Sequence, residues 1–305
     1  MLLVLALCLC FGSGCRTLRR GRDARNLGAA RQLSLRGAAL LQQEHYAEAS
    51  PVFEEALLLS PADERAQWGM AEVLWRAGKR EEAIQHQQAA IELSGDNPDL
   101  LVRLGEMHLE LGNLPKALQQ AELVLRENRQ HEGAWALQGR IRREEGRNQD
   151  AMDCYQRALI YNPNNVKARI AVADIYRDLG KPQRALATIE WLADSQLESI
   201  PARAWMLKGQ ALADLDQPAD AGRCLKEAML CADEDCDLLL DLAQLQYAKG
   251  NLADARICLG RALQNNPQNP QALTLQQAFD QPHTRLPGGL VTGPMLPRRE
   301  NQGRN

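Results

Sequence analysis

A small residue recurs at a nearly constant interval through most of the chain, and this period constrains the fold more than any other feature. Alanine stands at positions 49, 83, 117, 151, 185, 221 and 255, and only the interval between the fifth and sixth of these is longer than the others. A fixed period of about 20 to 50 residues is the signature of a repeat protein. The sequence therefore predicts seven repeats over residues 30–280, and not a single central core.

Two further series of mostly small residues keep the same period. Twelve residues before each repeated alanine stand Gly37, Ala71, Gly105, Gly139, Ala173, Gly209 and Ala243. Seven residues after it stand Ala56, Ala90, Val124, Ala158, Leu192, Ala228 and Ala262. Small residues at fixed places in two helical segments let two backbones approach closely, while larger apolar residues between them close the contact. Each repeat is predicted to be a helix–turn–helix hairpin.

Glycine and proline mark where these predicted helices end. The turns inside five hairpins contain Gly78, Gly112, Gly146, Gly180 and Gly250. Three of the second helices are followed by Pro61, Pro163 and Pro267. Proline stops a helix because it lacks the N–H group and its ring clashes with the preceding turn. We predict repeats that begin at residues 30, 64, 98, 132, 166, 202 and 236, with a capping helix over 270–280.

The repeats resemble the tetratricopeptide repeat family, whose 34-residue pattern is W-x2-L-G-x2-Y, then A-x3-F, A and P. The first repeat carries Leu33, Gly37, Leu40, Tyr46, Ala49, Phe53, Ala56 and Pro61. The fourth carries Trp135, Gly139, Ala151, Tyr155, Ala158 and Pro163. The resemblance implies an all-α fold, an α-solenoid in which seven hairpins and the capping helix stack into a right-handed superhelix. It also implies that a protein or peptide partner binds in a concave groove.

The same resemblance implies which side chains face that groove, namely the second, fifth, ninth, twelfth and thirteenth of each repeat. In the second repeat these positions include Trp68, Glu72, Trp75 and Arg76. Trp68 and Trp75 are two helical turns apart and share one face. Two interpretations are open: the tryptophans are exposed and anchor a partner, or they are core residues covered by residues 17–29 or by a neighbouring hairpin.

Charged residues alternate in sign at the ninth positions of the next three repeats, which are Glu106, Arg140 and Asp174. This pattern suits a peptide that carries both charges, or it is a solvated ladder of salt bridges that contributes little energy. The candidate partner-binding residues are Trp68, Glu72, Trp75, Arg76, Arg103, Glu106, Arg140, Arg143, Asp174 and Arg177.

The first 14 residues contain no charged side chain, and they are too short to span a bilayer, which takes about 20 apolar residues. Such a run is typical of a signal peptide. Gly12, Ser13 and Gly14 precede Cys15 and resemble a bacterial lipobox, which implies cleavage and lipidation of Cys15. We therefore expect an envelope lipoprotein that faces the periplasm, with a basic linker over 15–29. Because no basic residue precedes the run, either the true start lies upstream of Met1 or the run is an uncleaved anchor. A secreted form and a cytoplasmic adaptor are further alternatives.

Charge is unevenly distributed. The net charge is −3, residues 16–31 sum to +5 and residues 281–305 to +3, so the residues between them carry the remaining −11. An acidic array argues against a nucleic-acid partner, and an RNA-binding helical repeat is only a remote alternative. The arginines beside Cys15 are expected to strengthen contact with anionic head groups. The tail over 281–305 is rich in Pro and Gly and is predicted to be disordered.

No motif in the sequence carries recognisable catalytic chemistry. A phosphate-binding loop, a nucleophile elbow and a His-Glu-x-x-His metal motif are all missing from the sequence. We predict a non-catalytic interaction scaffold without cofactor, metal or small-molecule substrate. Within the repeats, Cys154, Cys224 and Cys258 share one position and are expected to be small, partly buried apolar residues. Cys231 and Cys236 flank a short connection and are a possible disulfide if the chain is exported.

Overall fold

The computed structural model describes residues 26–194, 200–232 and 235–280, and all regular structure in these ranges is helical. The chain divides into two compact lobes, Met1–Pro163 and Asn164–Asn305, here called the N-terminal and C-terminal lobes. The predictions for the signal peptide, for Cys15, for linker residues up to 25 and for the tail from 281 fall outside the described residues.

The N-terminal lobe contains four helical hairpins in its described part. Its helices are α1 (26–42), α2 (Tyr46–Leu59), α3 (Glu64–Arg76), α4 (Arg80–Ser94), α5 (Pro98–Glu110), α6 (Leu114–Glu127), α7 (Glu132–Glu144) and α8 (Asn148–Tyr161). The linker prediction is wrong for residues 26–29, which are helical. The reason is that no proline interrupts this stretch, and the helix of the first repeat continues back through Ala29 and Leu27, which favour helix.

The C-terminal lobe contains three hairpins and a final single helix among its described residues. Its helices are α9 (Val166–Asp178), α10 (Pro182–Asp194), α11 (Ala202–Asp214), α12 (Pro218–Cys231), α13 (Cys236–Ala248), α14 (Leu252–Asn265) and α15 (Pro270–Asp280). Helix α15 caps the last hairpin, since the ring of Phe279 stacks on Tyr247 with centroids 4.4 Å apart. The predicted all-α fold of seven hairpins and a capping helix is confirmed.

The repeated small residues lie where the two helices of a hairpin meet. The repeated alanines, such as Ala49 and Ala117, are fully buried. A Cβ atom on Gly139 would lie 2.8 Å from Cε1 of Tyr155, and one on Gly209 would lie 2.9 Å from Cγ of Leu225. The close approach of the helices therefore requires the missing side chain at these two positions.

The turns and helix starts also follow local chemistry. The five turn glycines predicted above all have positive φ, in the left-handed region that favours glycine. At several helix starts a side chain accepts a hydrogen bond from a free backbone N–H group. Asp63, for example, accepts one from Ala66 N at 2.9 Å, and Asn165 accepts one from Ala168 N at 2.9 Å. Among the described helices, none has the length and apolar character needed to cross a bilayer.

Candidate functional site

Charged side chains connect the first helices of the second, third and fourth hairpins. At the centre, Arg103 on α5 donates from Nε to Glu72 Oε1 at 2.6 Å and from Nη2 to Glu72 Oε2 at 2.8 Å. Its Nη1 lies 3.5 Å from Glu106 Oε2 and 3.6 Å from Glu110 Oε1. We name Glu72, Arg103, Glu106, Glu110 and Arg140 the charged face of the N-terminal lobe.

The carboxylates around Arg103 determine its ionisation. Burial alone would lower the pKa of the guanidinium, but the hydrogen bond and charge of Glu72, with the charges of Glu106 and Glu110, outweigh burial and raise the pKa above its ordinary value. Arg103 is therefore always protonated at physiological pH. Its charge is neutralised inside the charged face, so we assign it to holding α3 and α5 together rather than to contacting a ligand.

Arg140 on α7 extends the charged face toward the fourth hairpin. Its Nη1 lies 3.2 Å from Glu106 Oε1, while its side chain is 42% exposed. A guanidinium has five N–H donors in a fixed plane, so donors of Arg140 remain accessible to a partner. Glu106 and Arg140 are successive members of the predicted series of alternating charges, and this contact joins them. Arg143 lies half-buried one turn further along the same helix.

Trp75 is a core residue: of the two open interpretations, cover by a neighbouring hairpin holds for this side chain, and it is not an exposed anchor. Its side chain is only 4% exposed and packs with Ala83 and Met107. The indole Nε1 donates to Glu110 Oε2 at 2.9 Å, and the guanidinium of Arg80 lies 4.1 Å from the ring centroid. The spacing of the two tryptophans indicated a shared face correctly, but Met107 of the neighbouring hairpin covers this position.

The side chain of Trp68 is more exposed to solvent than that of Trp75. It is half-buried and packs at the edge of the apolar cluster that includes Ile91 and Leu101. At the equivalent fifth positions of the next two repeats stand Val102 and Ala136, which are also half-buried. We name Trp68, Val102 and Ala136 the apolar strip.

The apolar strip and the charged face lie side by side. Each member of the strip precedes a charged residue by four positions on the same helix, since Trp68 precedes Glu72, Val102 precedes Glu106 and Ala136 precedes Arg140. Residues four apart are neighbours on a helix surface. The three helices therefore present apolar and charged side chains in two adjacent rows.

Arg76 does not join this arrangement. It is exposed, and its guanidinium lies 5.2 Å from the ring centroid of Tyr46 on α2. The structure thus directs Arg76 toward the first hairpin and away from the charged face.

In the C-terminal lobe, Asp174 and Arg177 form a local cluster on α9. Asp174 is buried, and its Oδ1 lies 3.5 Å from Nη2 of Arg177, which is also 3.4 Å from Oδ1 of Asp178. These contacts join residues of one helix. The contacts of Arg103, by contrast, connect two hairpins.

Two residues that complete the site are not among the predicted binding residues. Glu110 holds both Trp75 and Arg103, while Arg80 donates to the carbonyl of Trp75 at 2.7 Å and covers its ring. Glu110 stands at a predicted groove position, so the alternating charges contained a signal for it. Arg80 lies on the second helix of its hairpin, where the groove positions give no indication.

The described cysteines differ in their burial. Cys224 and Cys258 are buried and Cys154 is half-buried, as predicted, and burial raises the pKa of Cys258 to about 11. Cys231 is exposed, whereas Sγ of Cys236 lies 3.7 Å from the carbonyl oxygen of Ala262. The disulfide between Cys231 and Cys236 stays a prediction. Within the described residues, no group of three His, Cys, Asp or Glu side chains is placed to hold a metal ion.

Comparison with known families agrees with this geometry. One tetratricopeptide repeat model matches residues 74–141 and 142–211, and a second matches 35–98 and 240–276. Together the matches cover more than half of the chain. The chain belongs to the tetratricopeptide repeat family.

A curated relative is the DnaJ homolog subfamily C member 3 of Gallus gallus, which is 25% identical over 187 residues. That alignment covers 57% of this chain but only 37% of the relative, so the chain spans well under half of the relative's length.

Solved structures show the same fold at low sequence identity. A tetratricopeptide repeat protein from Parabacteroides merdae has a TM-score of 0.61 at 16% identity, covering 83% of this chain and 99% of its own. PilF of Pseudomonas aeruginosa has a TM-score of 0.54 at 17% identity, covering 68% and 91%. A monomeric mutant of IFIT1 with m7Gppp-AAAA has a TM-score of 0.63 at 14% identity, covering 82% and 64%. These similarities establish the fold alone.

Proposed function

We propose that the chain is a non-catalytic scaffold that binds a protein or peptide partner on the apolar strip and charged face of its N-terminal lobe. The observation that carries this proposal is the pairing of the two rows across three successive hairpins. Tetratricopeptide repeats as a class suggest an interaction scaffold, and interfaces favour half-exposed Trp and Arg side chains. Both residue types occur here, as Trp68 and Arg140.

The chemistry of the two rows defines the partner. An apolar side chain of the partner would contact Trp68 and Val102, while a carboxylate would accept hydrogen bonds from the exposed donors of Arg140. A basic side chain would pair with Glu110, which is exposed. Because Arg103 already fixes Glu72 and Glu106, the partner meets a surface that is ordered before binding, which lowers the entropic cost of association.

A nucleic-acid ligand on this face is disfavoured. A protein binds a phosphate backbone through an excess of positive charge, whereas the charged face contains two arginines and three glutamates. The structure of IFIT1 with m7Gppp-AAAA shares the fold, but the paired charges of this chain favour a peptide over a phosphate backbone.

We place the scaffold at a bacterial envelope membrane, anchored by acyl chains on Cys15 and facing the periplasm, where it aids assembly of a membrane-associated complex. The uncharged residues 1–14 and the small residues before Cys15 support this proposal. The alternative is a cytoplasmic or membrane-anchored adaptor without lipidation. The N-terminal mass of the native protein separates the two: an acylated Cys15 supports the lipoprotein, and an unmodified Met1 supports the adaptor.

The binding face is tested by charge reversal. The intact chain, Arg140→Glu and Arg126→Glu are each crosslinked in native membranes and purified, and the co-purified proteins are quantified. Arg126 is an exposed arginine on α6 and serves as the matched control. We expect one partner to be lost at least tenfold with Arg140→Glu and retained with Arg126→Glu. Equal recovery with all three forms would contradict the proposed face, provided that thermal unfolding shows all three to be folded.

A further inference from the structure

Helix α1 differs in charge from every other described helix. It contains Arg31 and Arg36 and no Asp or Glu, whereas each of the other described helices contains at least one carboxylate. The residues before it are also basic, since residues 16–31 sum to +5. A basic segment therefore continues from the linker into the folded array, in a chain whose residues 32–280 together carry a net charge of −11.

The basic side chains of α1 lie beside exposed leucines. Leu27 is 40% exposed and Leu35 is 55% exposed, and both Arg31 and Arg36 are exposed. Leu27, Arg31 and Leu35 follow at intervals of four residues and share one face of the helix.

Part of the surface of α1 is covered by the rest of the array. Ser34 is buried, and its Oγ donates to Asp63 Oδ2 at 3.4 Å. Gly37 faces the ring of Phe53, which lies too close to admit a Cβ atom. The array thus fixes the orientation of α1 and leaves Arg31, Leu35 and Arg36 exposed, together with Leu27 in the first turn of the helix.

We infer that the outer face of α1 lies on an anionic membrane surface. This inference rests on the membrane location given in the proposed function, and it adds a protein contact to the lipid anchor. Leucine side chains enter the boundary of the acyl chains, while arginines extend to the phosphates with their alkyl stems buried. An apolar anchor together with a basic patch binds a membrane more stably than either signal alone.

Lipid fits this face better than the other occupants. A nucleic acid would use the arginines but leave the leucines in water. A second protein chain would need carboxylates to meet Arg31 and Arg36, and a second copy of α1 has none to offer. The face also continues a segment that contains the uncharged residues 1–14 and Cys15.

The test is a depth measurement on the full chain bound to vesicles. Leu35→Trp places a fluorophore on α1, and Leu58→Trp places the matched control on α2, where Leu58 is 85% exposed. The vesicles contain phosphatidylglycerol and brominated phosphatidylcholine. The fluorescence of the unsubstituted chain is subtracted to remove the signal of its five native tryptophans. We expect bromine to quench Leu35→Trp several-fold more than Leu58→Trp. High salt, or the added substitutions Arg31→Gln and Arg36→Gln, should remove most of this difference.

Several results would overturn the inference. If the chain associates with vesicles but both tryptophans are quenched equally, α1 does not contact lipid. This result would leave the proposed lipid anchor at Cys15 unaffected, because the N-terminal mass tests that anchor separately. If the difference in quenching persists on vesicles of phosphatidylcholine alone, anionic head groups are not recognised. If sedimentation shows a dimer in solution that Leu27→Gln and Leu35→Gln abolish, the face binds a second copy instead.

Discussion

At the scale of single residues, Arg103 organises the charged face. It contacts three carboxylates on two helices, including both oxygens of Glu72. Its removal would leave these negative charges close together without a counter-charge. Arg140 also contacts one of these carboxylates, that of Glu106, but it is more exposed than Arg103. We therefore assign a structural role to Arg103 and a binding role to Arg140.

Replacement of Arg103 tests this structural role. We expect Arg103→Met to lower the free energy of unfolding by about 1–3 kcal/mol, because hydrogen bonds to charged groups are lost and the partly buried carboxylates repel each other. Arg126→Met should change stability by less than about 0.5 kcal/mol, as surface substitutions usually do. Urea unfolding followed by circular dichroism measures both. Equal midpoints for the two variants would show that Arg103 does not hold the helices together.

His108 makes stability depend on pH. Its side chain is buried, and burial, followed by the charge of Lys116, lowers its pKa below 6.5. The unfolded chain therefore binds the proton more readily than the folded chain, and stability falls as the pH drops below about 6.5. We expect His108→Gln to flatten this loss between pH 7 and 5. The control is His45→Gln at an exposed site, and an unchanged slope with His108→Gln would refute the assignment.

The burial of Trp75 shows what the sequence could not predict at this scale. Its spacing from Trp68 predicted the helix face, and Glu106 and Arg140, two members of the predicted alternating series, are in contact. The cover over Trp75 comes from Met107 on the next hairpin, and it depends on how closely the two hairpins pack. Periodicity within one repeat contains no information on that distance.

At the scale of helices, small residues set how closely each pair packs. Their period predicted the hairpins because a backbone contact excludes larger side chains at a fixed place in every repeat. The start of α1 was predicted less well, because residues 26–29 precede the first repeated position and carry no periodic signal.

Two glycines in the sixth hairpin test this requirement. A Cβ at Gly209 would lie 3.1 Å from the carbonyl oxygen of Ala221, while one at Gly222 on the adjoining helix meets nothing within 4 Å. We expect Gly209→Ala to destabilise the protein by about 1–3 kcal/mol through overpacking. Gly222→Ala should stabilise it by up to about 1 kcal/mol, because alanine favours helix. Thermal unfolding that ranks the two variants the other way would contradict the packing role.

At the scale of the whole molecule, each hairpin is stabilised chiefly by its neighbours, so a defect stays local. Phe279 provides a test at the C-terminal cap, where it stacks on Tyr247. We expect Phe279→Ala to remove about 3–5 kcal/mol of local stability. Hydrogen exchange should accelerate in α13 to α15 and stay unchanged in α3 to α6. Acceleration throughout both regions would instead indicate one cooperative unit.

The regular period of small residues predicted the fold of the described residues, because it recurs in every repeat and leaves few ways to bury the apolar residues. The partner surface was predicted only in outline. Which groove residues are exposed depends on contacts between hairpins, and the identity of the partner depends on a second molecule.

The most direct test of the central claim is site-specific photo-crosslinking in native cells. A photo-reactive amino acid replaces Arg140 in one strain and Arg126 in another. A partner-binding charged face predicts one discrete protein adduct from position 140 and none from position 126. No adduct at position 140, or the same adducts from both positions, would contradict the proposal that this face binds a partner.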